Sequence, residues 1–311
     1  MGERKSKVVR LAERLAALLP SDRLLAGEPM SRHTSFRIGG PAELLALPET
    51  AGELTLILTA AREEGVPVLV IGNGSNLLVR DGGLRGLVIR TSRLNHLTVD
   101  PAAEGRVSCG AGLLLVELAN RAQQLGLAGL EFAGGIPGSV GGAVVMNAGA
   151  YGGEMKDVVS RVRAVSADGQ ERCFSREEMG YGYRTSILQE SGWAVTEASF
   201  RLTPGDPQAI KEKMAELNRQ RAEKQPLEHP SAGSVFRRPP GRYVGPMIEE
   251  AGLKGLTIGG AQVSPKHAGF IVNIGGATAA DVLALIEEIR RVIRERYGVD
   301  LETEIKIVGE D

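Results

Sequence analysis

The chain has 311 residues, more than one small hydrophobic core usually organises, so two or three domains are expected. With 42% hydrophobic residues, 24% charged residues and a formal net charge of −1, it is an ordinary globular composition, without the basic footprint of a nucleic-acid binder. No apolar run approaches the ~20 residues that span a bilayer, and the charged start (Glu3, Arg4, Lys5, Lys7) lacks a signal-peptide core, so a cytoplasmic protein without membrane insertion is expected.

In chain order, Val8 to Leu19 reads as an amphipathic helix ending at Pro20. Thr50 and Glu53 form a capping-box pattern for a second helix, with Leu54, Ile57, Leu58 and Ala61 on one face and Gly65 at the stop. Strands follow at Val66 to Ile71, Leu87 to Arg90 and Arg106 to Cys109. A helix is expected over Leu113 to Leu125, with Leu114, Leu118 and Leu125 on one side and Gly126 behind it. Val158 to Val165 and Ala194 to Leu202 read as strands with a turn at Asp168-Gly169 between them. A charged helix runs from Gln208 to about Lys224, followed by a Pro/Gly-rich stretch from Pro226 to Gly245. Thr278 and Asp281 cap the last helix, where Val282, Leu285, Ile286, Ile289 and Ile293 recur at helical spacing until Gly298. Leu301 to Val308 is the final strand. Helices and strands mix without strict alternation, so an α+β fold is expected.

Glycine is the outlier, at 41 residues or about 13% against a typical ~7%. One cluster, Gly72-Asn73-Gly74-Ser75-Asn76, follows the Val66 to Ile71 strand and can turn successive N–H groups into one concavity suited to a phosphate. It lacks the Gly-Lys-Ser/Thr of a Walker loop and the spacing of a Rossmann fingerprint. Alone, it serves a hairpin turn as readily as a ligand. In the second cluster, Gly134 to Gly153, eight of twenty residues are glycine, interleaved with Ile136, Val140, Val144, Val145 and Met146. A flexible linker would be polar. Bare backbone against a large flat ligand is the simplest physical reason, a bend between core strands the alternative. Cys109 and Cys173 match no metal-ligand spacing, and His33, His96, His229 and His267 form no triad, so no metal is expected.

Three segments in order, Arg37-Ile38-Gly39-Gly40, Gly72 to Leu77 and Gly134 to Gly142, resemble the FAD-binding domain of vanillyl-alcohol-oxidase-type (PCMH) flavoproteins. Within that superfamily the chain, from about Met30 to Gly309, is similar to the UDP-N-acetylenolpyruvoylglucosamine reductase family. The resemblance implies a two-part FAD-binding domain over 1–205 (subdomains about 1–92 and 93–205), a smaller α+β substrate domain over 206–300 and a closing strand over 301–311. It implies cofactor contacts from Arg37, Gly39, Gly72, Asn73, Gly74, Ser75, Asn76, Leu77, Gly134, Gly135, Ile136, Pro137, Gly138, Ser139, Gly141, Gly142, Asn147, Gly149 and Ala150. The FAD is expected to be noncovalent, since no histidine stands out as a tether, and NADPH is the implied co-substrate.

Three further motifs carry the implied chemistry. Tyr183-Arg184-Thr185-Ser186 looks like the family's Tyr-Arg-x-Ser segment, Gly233-Ser234-Val235-Phe236 like its Gly-Ser-x-Phe segment, and Leu301 to Lys306 like its closing strand. The family's substrate is a UDP-sugar vinyl ether bearing a carboxylate, reduced to UDP-N-acetylmuramate in peptidoglycan precursor synthesis. The resemblance implies that Arg184 stabilises the charge developing on that carboxylate, that Ser234 donates a proton and that Glu304 assists. Arg221, Lys224, Tyr243 and Lys254 are the implied substrate contacts. Where the family often has Phe-Lys-Asn-Pro, this chain has Phe236-Arg237-Arg238-Pro239, which leaves the role of Arg238 open. The short spacing from Arg184 to Arg221 matches the subclass without a tyrosine-bearing loop. A monomer or weak dimer is expected. The rival readings are a related FAD oxidase of alcohols or hydroxy acids, and a non-catalytic nucleotide-binding protein.

Overall fold

The computed structural model describes residues 2–100, 102–189 and 191–311. The chain divides into two compact units, neither of them a continuous stretch: Met1–Ala26, Leu44–Asn73 and Gly86–Gln220 form the first, and Gly27–Glu43, Gly74–Arg85 and Arg221–Asp311 the second. The helices are α1 (Gly2–Ala16), α2 (Ala51–Glu63), α3 (Leu115–Gln124), α4 (Val140–Val145), α5 (Met155–Val158), α6 (Pro207–Lys224), α7 (Val244–Glu250) and α8 (Ala279–Tyr297). Among the described residues, no helix is long and apolar enough to cross a membrane.

The first unit holds two cores. In one, α1 and α2 pack Leu11, Leu15, Leu54, Ile57 and Leu58 against Leu87 and Ile89, where Val68–Ile71 lies parallel to residues 87–90. In the other, an antiparallel five-stranded sheet runs in the order Glu171–Ser175, Val159–Val165, Ala194–Arg201, Arg106–Gly110, Leu97–Val99. Its apolar face meets Leu115, Leu118, Ala119 and Ala122 of α3, Val140 and Val144 of α4, and Met214 of α6.

The sequence misplaces three features here. The Asp168-Gly169 turn, with Gly169 at φ 82°, leads into Glu171–Ser175, a strand not expected, before the chain reaches Ala194–Arg201. That edge strand shows Glu171, Arg172 and Cys173 to solvent and so lacks an apolar signature. Leu114 and Leu125 flank α3 and are each 40% exposed, so its buried face is built from Leu115, Leu118, Ala119 and Ala122 instead. Residues 140–145, read only as a glycine-rich segment, form α4, because close packing rather than propensity makes them helical.

The second unit is organised on α8. Thr278 and Asp281 form the reciprocal capping box the sequence predicts, and Gly298 closes the helix at φ 65°. The Asp81 carboxylate accepts from the N–H groups of Ala279 and Ala280 at 2.8 and 3.0 Å. Val282, Leu285, Ile286, Ile289 and Ile293 are fully buried, each contributing about 1.5–3 kcal/mol on transfer from water, against Val263, Ile271 and Phe36. The antiparallel strands Thr257–Ile258, Ala261–Val263 and Ile271–Asn273 form the adjoining sheet. The expected strand over 301–308 is shorter: only Lys306–Val308 pairs, in parallel with Leu77–Val79. Residues 301–305 follow the 234–237 segment instead, through a bridge between Phe236 and Thr303.

Candidate active site

The first unit brings the start of one glycine cluster against the other. A Cβ built on Gly72 would lie 2.0 Å from Ser139 Oγ, and Asn73 Nδ2 donates to the Pro137 carbonyl at 3.3 Å. Any side chain at 72 would have to displace the Ser139 hydroxyl. Ser139 stands at the N-cap of α4 yet makes no capping hydrogen bond, and its buried hydroxyl has no protein partner. A buried hydroxyl left unmatched costs about 1–3 kcal/mol, so a ligand acceptor beside Gly72 would recover what the fold forgoes. Gly141 is equally confined, since its Cβ would meet Ala111 Cβ at 2.8 Å. A bare backbone cradle with an orphaned donor suits a phosphate and the flat dinucleotide that carries it.

In the second unit Gly74 has φ 64° and its Cβ would fall 2.1 Å from the His33 carbonyl, while Ser35 N donates to the Gly74 carbonyl at 3.2 Å. Arg37 is left-handed at φ 54°, and Gly39, at φ 137°, sits against Val79. Asn76 Nδ2 donates to the Glu304 carbonyl at 3.1 Å, and the Lys306 N–H to the Asn76 carbonyl at 2.9 Å. Ser234 forms a bridge with Phe270, and the next carbonyl, Val235, accepts from the Glu304 N–H at 2.7 Å. Ser234, Glu304 and the Asn76 turn thus occupy adjoining segments of one unit.

Arg184 belongs to the first unit, in a turn closed by paired hydrogen bonds between Gly182 and Thr185. Its φ of 55° is unusual for arginine. The guanidinium Nη2 donates to the Gly149 carbonyl at 3.0 Å and lies 5.2 Å from the Tyr183 ring centre. Ser186 Oγ donates to the Val145 carbonyl at 2.7 Å, tying the turn to α4. The Glu154 carboxyl is held below the usual carboxylate range, first by its hydrogen bond with Lys156, then by Asn147, with the Arg184 charge adding to the effect. Sequence reasoning missed Glu154 and also Gln189, which carries no motif and donates to the Arg184 carbonyl at 3.1 Å. The Glu154–Asp157 pair did carry a signal, the capping box of α5.

The four substrate candidates lie in the second unit. Arg221 and Lys224 end α6, and Lys254 Nζ pairs with Glu249 at 2.5 Å. Tyr243 is 62% exposed and stacks under the Arg238 guanidinium at 4.3 Å, so the residue that departs from the family pattern lies on a candidate substrate contact. Burial lowers the pKa of His267, whose Nδ1 accepts from the Gly269 N–H at 3.1 Å. Among the described residues no group of His, Cys, Asp or Glu could hold a metal ion.

The cradle and the α+β scaffold define a flavoprotein. Residues 42–174 match the FAD binding domain family, and residues 225–308 the family described as the UDP-N-acetylenolpyruvoylglucosamine reductase C-terminal domain. A UDP-N-acetylenolpyruvoylglucosamine reductase from Caldanaerobacter subterraneus subsp. tengcongensis is 51% identical over 300 residues, covering 96% of this chain and 98% of the relative. One from Syntrophomonas wolfei subsp. wolfei is 51% identical over 293 residues, covering 94% and 97%. The crystal structure of the Thermus caldophilus reductase superposes with a TM-score of 0.77 at 39% identity, over 91% of this chain and 97% of that one. An alkyldihydroxyacetonephosphate synthase, at 16% identity and a TM-score of 0.50, shares the fold over 63% of this chain and 40% of its own. The chain belongs to the UDP-N-acetylenolpyruvoylglucosamine reductase family. It is an FAD-dependent oxidoreductase, with the α+β fold and FAD-binding domain that the sequence implied.

Proposed function

We propose that the protein reduces UDP-N-acetylglucosamine enolpyruvate to UDP-N-acetylmuramate at the expense of NADPH, through noncovalently held FAD. The observation that carries this reading is the orphaned Ser139 hydroxyl lying against Gly72, in a chain where Ser234 and Glu304 stand on adjoining segments. FAD held by the two glycine clusters would supply two-electron hydride chemistry between NADPH and the vinyl ether of the substrate. The remaining groups of both glycine clusters, with Arg37, Gly39, Gly149 and Ala150, complete the proposed cofactor contacts, whereas Asn147, which the resemblance also implied, is fully buried with its amide engaged within the protein and is left out of them.

Arg184 stabilises the negative charge that builds on the substrate carboxylate, a task suited to a fixed, permanently charged guanidinium. Ser234 then donates a proton to the carbon beside that carboxylate. Glu304 orients a water or polarises the enolate end. Arg221, Lys224, Tyr243 and Lys254 hold the diphosphate nucleotide, Lys254 with its ammonium already placed by Glu249. The short spacing from Arg184 to Arg221 supports the subclass without a tyrosine-bearing loop.

Half-reactions test the reading. Ser234→Ala is expected to bleach normally with NADPH while reoxidation by the enolpyruvyl nucleotide slows by about 10²- to 10⁴-fold, the usual worth of a placed general acid. Equal loss in both halves would assign Ser234 to binding or folding. A protein that releases no flavin on denaturation would remove the proposal altogether.

A further inference from the structure

We propose that Asn147 is a positioning residue for Arg184, its buried carboxamide fixing the turn that presents the guanidinium rather than touching cofactor or substrate. The inference rests on the reading of Arg184 as the group that stabilises substrate charge. Asn147 follows α4 directly, has φ 45° and is 0% exposed. Asparagine is among the few residues that adopt this backbone without large strain. Its side chain is fully committed. Nδ2 donates to Glu154 Oε2 and to the Gly182 carbonyl, both at 3.0 Å, and Oδ1 accepts from the Lys156 N–H at 2.9 Å. A carboxamide has two N–H donors, and both are used within the protein.

Two of these partners, Gly182 and Glu154, bear on Arg184. Gly182 is one end of the turn that contains it, exchanging hydrogen bonds with Thr185 at 3.1 and 3.4 Å. Glu154 interacts with the Arg184 charge. Gly149, two residues beyond Asn147, accepts from the guanidinium itself. A non-glycine residue at positive φ persists only where its surroundings over-determine it. Asn147 supplies that constraint from the backbone side, and Gln189 adds a second link at the Arg184 carbonyl. The amide therefore couples the end of the glycine cluster to the catalytic turn.

The holoenzyme tests this with NADPH and the enolpyruvyl nucleotide as probes. Asn147→Asp keeps shape and backbone preference but sets an acceptor against Glu154 and the Gly182 carbonyl. Flavin content and bleaching by NADPH are expected to stay within about twofold, while reoxidation by the nucleotide falls about 10²-fold, as expected for a group displaced by about 1 Å. In an Arg184→Lys background the same change should cost less than about twofold more, because both residues act through one guanidinium. If Asn147→Asp fails to retain flavin, Asn147→Gly carries the test, since it keeps the left-handed backbone and removes only the tethers. Equal slowing of both half-reactions, or a second full loss on top of Arg184→Lys, would overturn the proposal. Normal reoxidation in Arg184→Lys alone would remove the role of Arg184 first, and that of Asn147 with it.

Discussion

Ser139 shows how a single hydroxyl links stability to binding. It occupies a helix N-cap without capping and has no protein partner although it is 2% exposed. Ser139→Ala should leave the flavin-free protein as stable as the parent or more so, since the unmet hydroxyl costs about 1–3 kcal/mol there, and should weaken FAD binding. Paired melting curves with and without FAD decide it: equal destabilisation in both would show that the hydroxyl already has a partner. Gly72→Ala should act through binding as well, raising the FAD dissociation constant at least about tenfold, or about 1.4 kcal/mol, because the new methyl must displace Ser139 Oγ. Flavin content after dialysis reads that outcome directly. Both glycine clusters stood out in the sequence because their composition is so unusual. The committed Asn147 amide did not, because which groups an amide meets depends on chain segments 7 and 35 residues away.

Among the elements, α2 departs from its sequence pattern in an instructive way. Thr50 accepts from the Glu53 N–H at 3.1 Å as a cap should, but the Glu53 carboxylate turns to the Glu49 N–H at 2.7 Å and to Arg23 at 2.6 and 3.1 Å. Arg23 is a buried cation that no periodicity reveals. Its hydrogen bond is the first cause holding Glu53 below the usual carboxylate range. The unfolded carboxyl, at about 4.3, therefore binds its proton before the folded one does. The contribution is complete above that value and is lost as pH falls through the lowered folded pKa. Glu53→Gln should destabilise the protein by about 1–3 kcal/mol at neutral pH, with the difference closing in acid. Urea midpoints at pH 7 and below pH 4 measure it, and a difference independent of pH would place the effect elsewhere. By contrast, α8 was legible almost whole, from capping box to terminal glycine, because local chemistry and burial agree along it. The short strands of the second unit were missed for the opposite reason, being two or three residues long and fixed by their neighbours.

For the whole molecule, ligand binding is expected to dominate stability. FAD at about 100 times its dissociation constant adds about 2.7 kcal/mol, so stripping the flavin should lower the melting temperature, and adding it back should restore it in a concentration-dependent way. A melting temperature indifferent to added FAD would contradict the cradle assigned to Gly72 and Ser139. Family membership was legible over most of the chain because the motifs fall in order. The division into units was not, since it interleaves segments that sequence order keeps apart.

That interleaving carries a cost in time. Leu77–Val79 must wait for Lys306–Val308, which leaves the ribosome about 230 residues later. At about 5–20 residues per second, the wait is about ten to fifty seconds. Throughout it the glycine-rich segment that follows Ile71 is tethered to strands whose hydrogen-bonding edge is still open. A premature stop before Lys306 would therefore leave the edge of Leu77–Val79 unpaired, so a truncation at the end of the chain is felt in its first third.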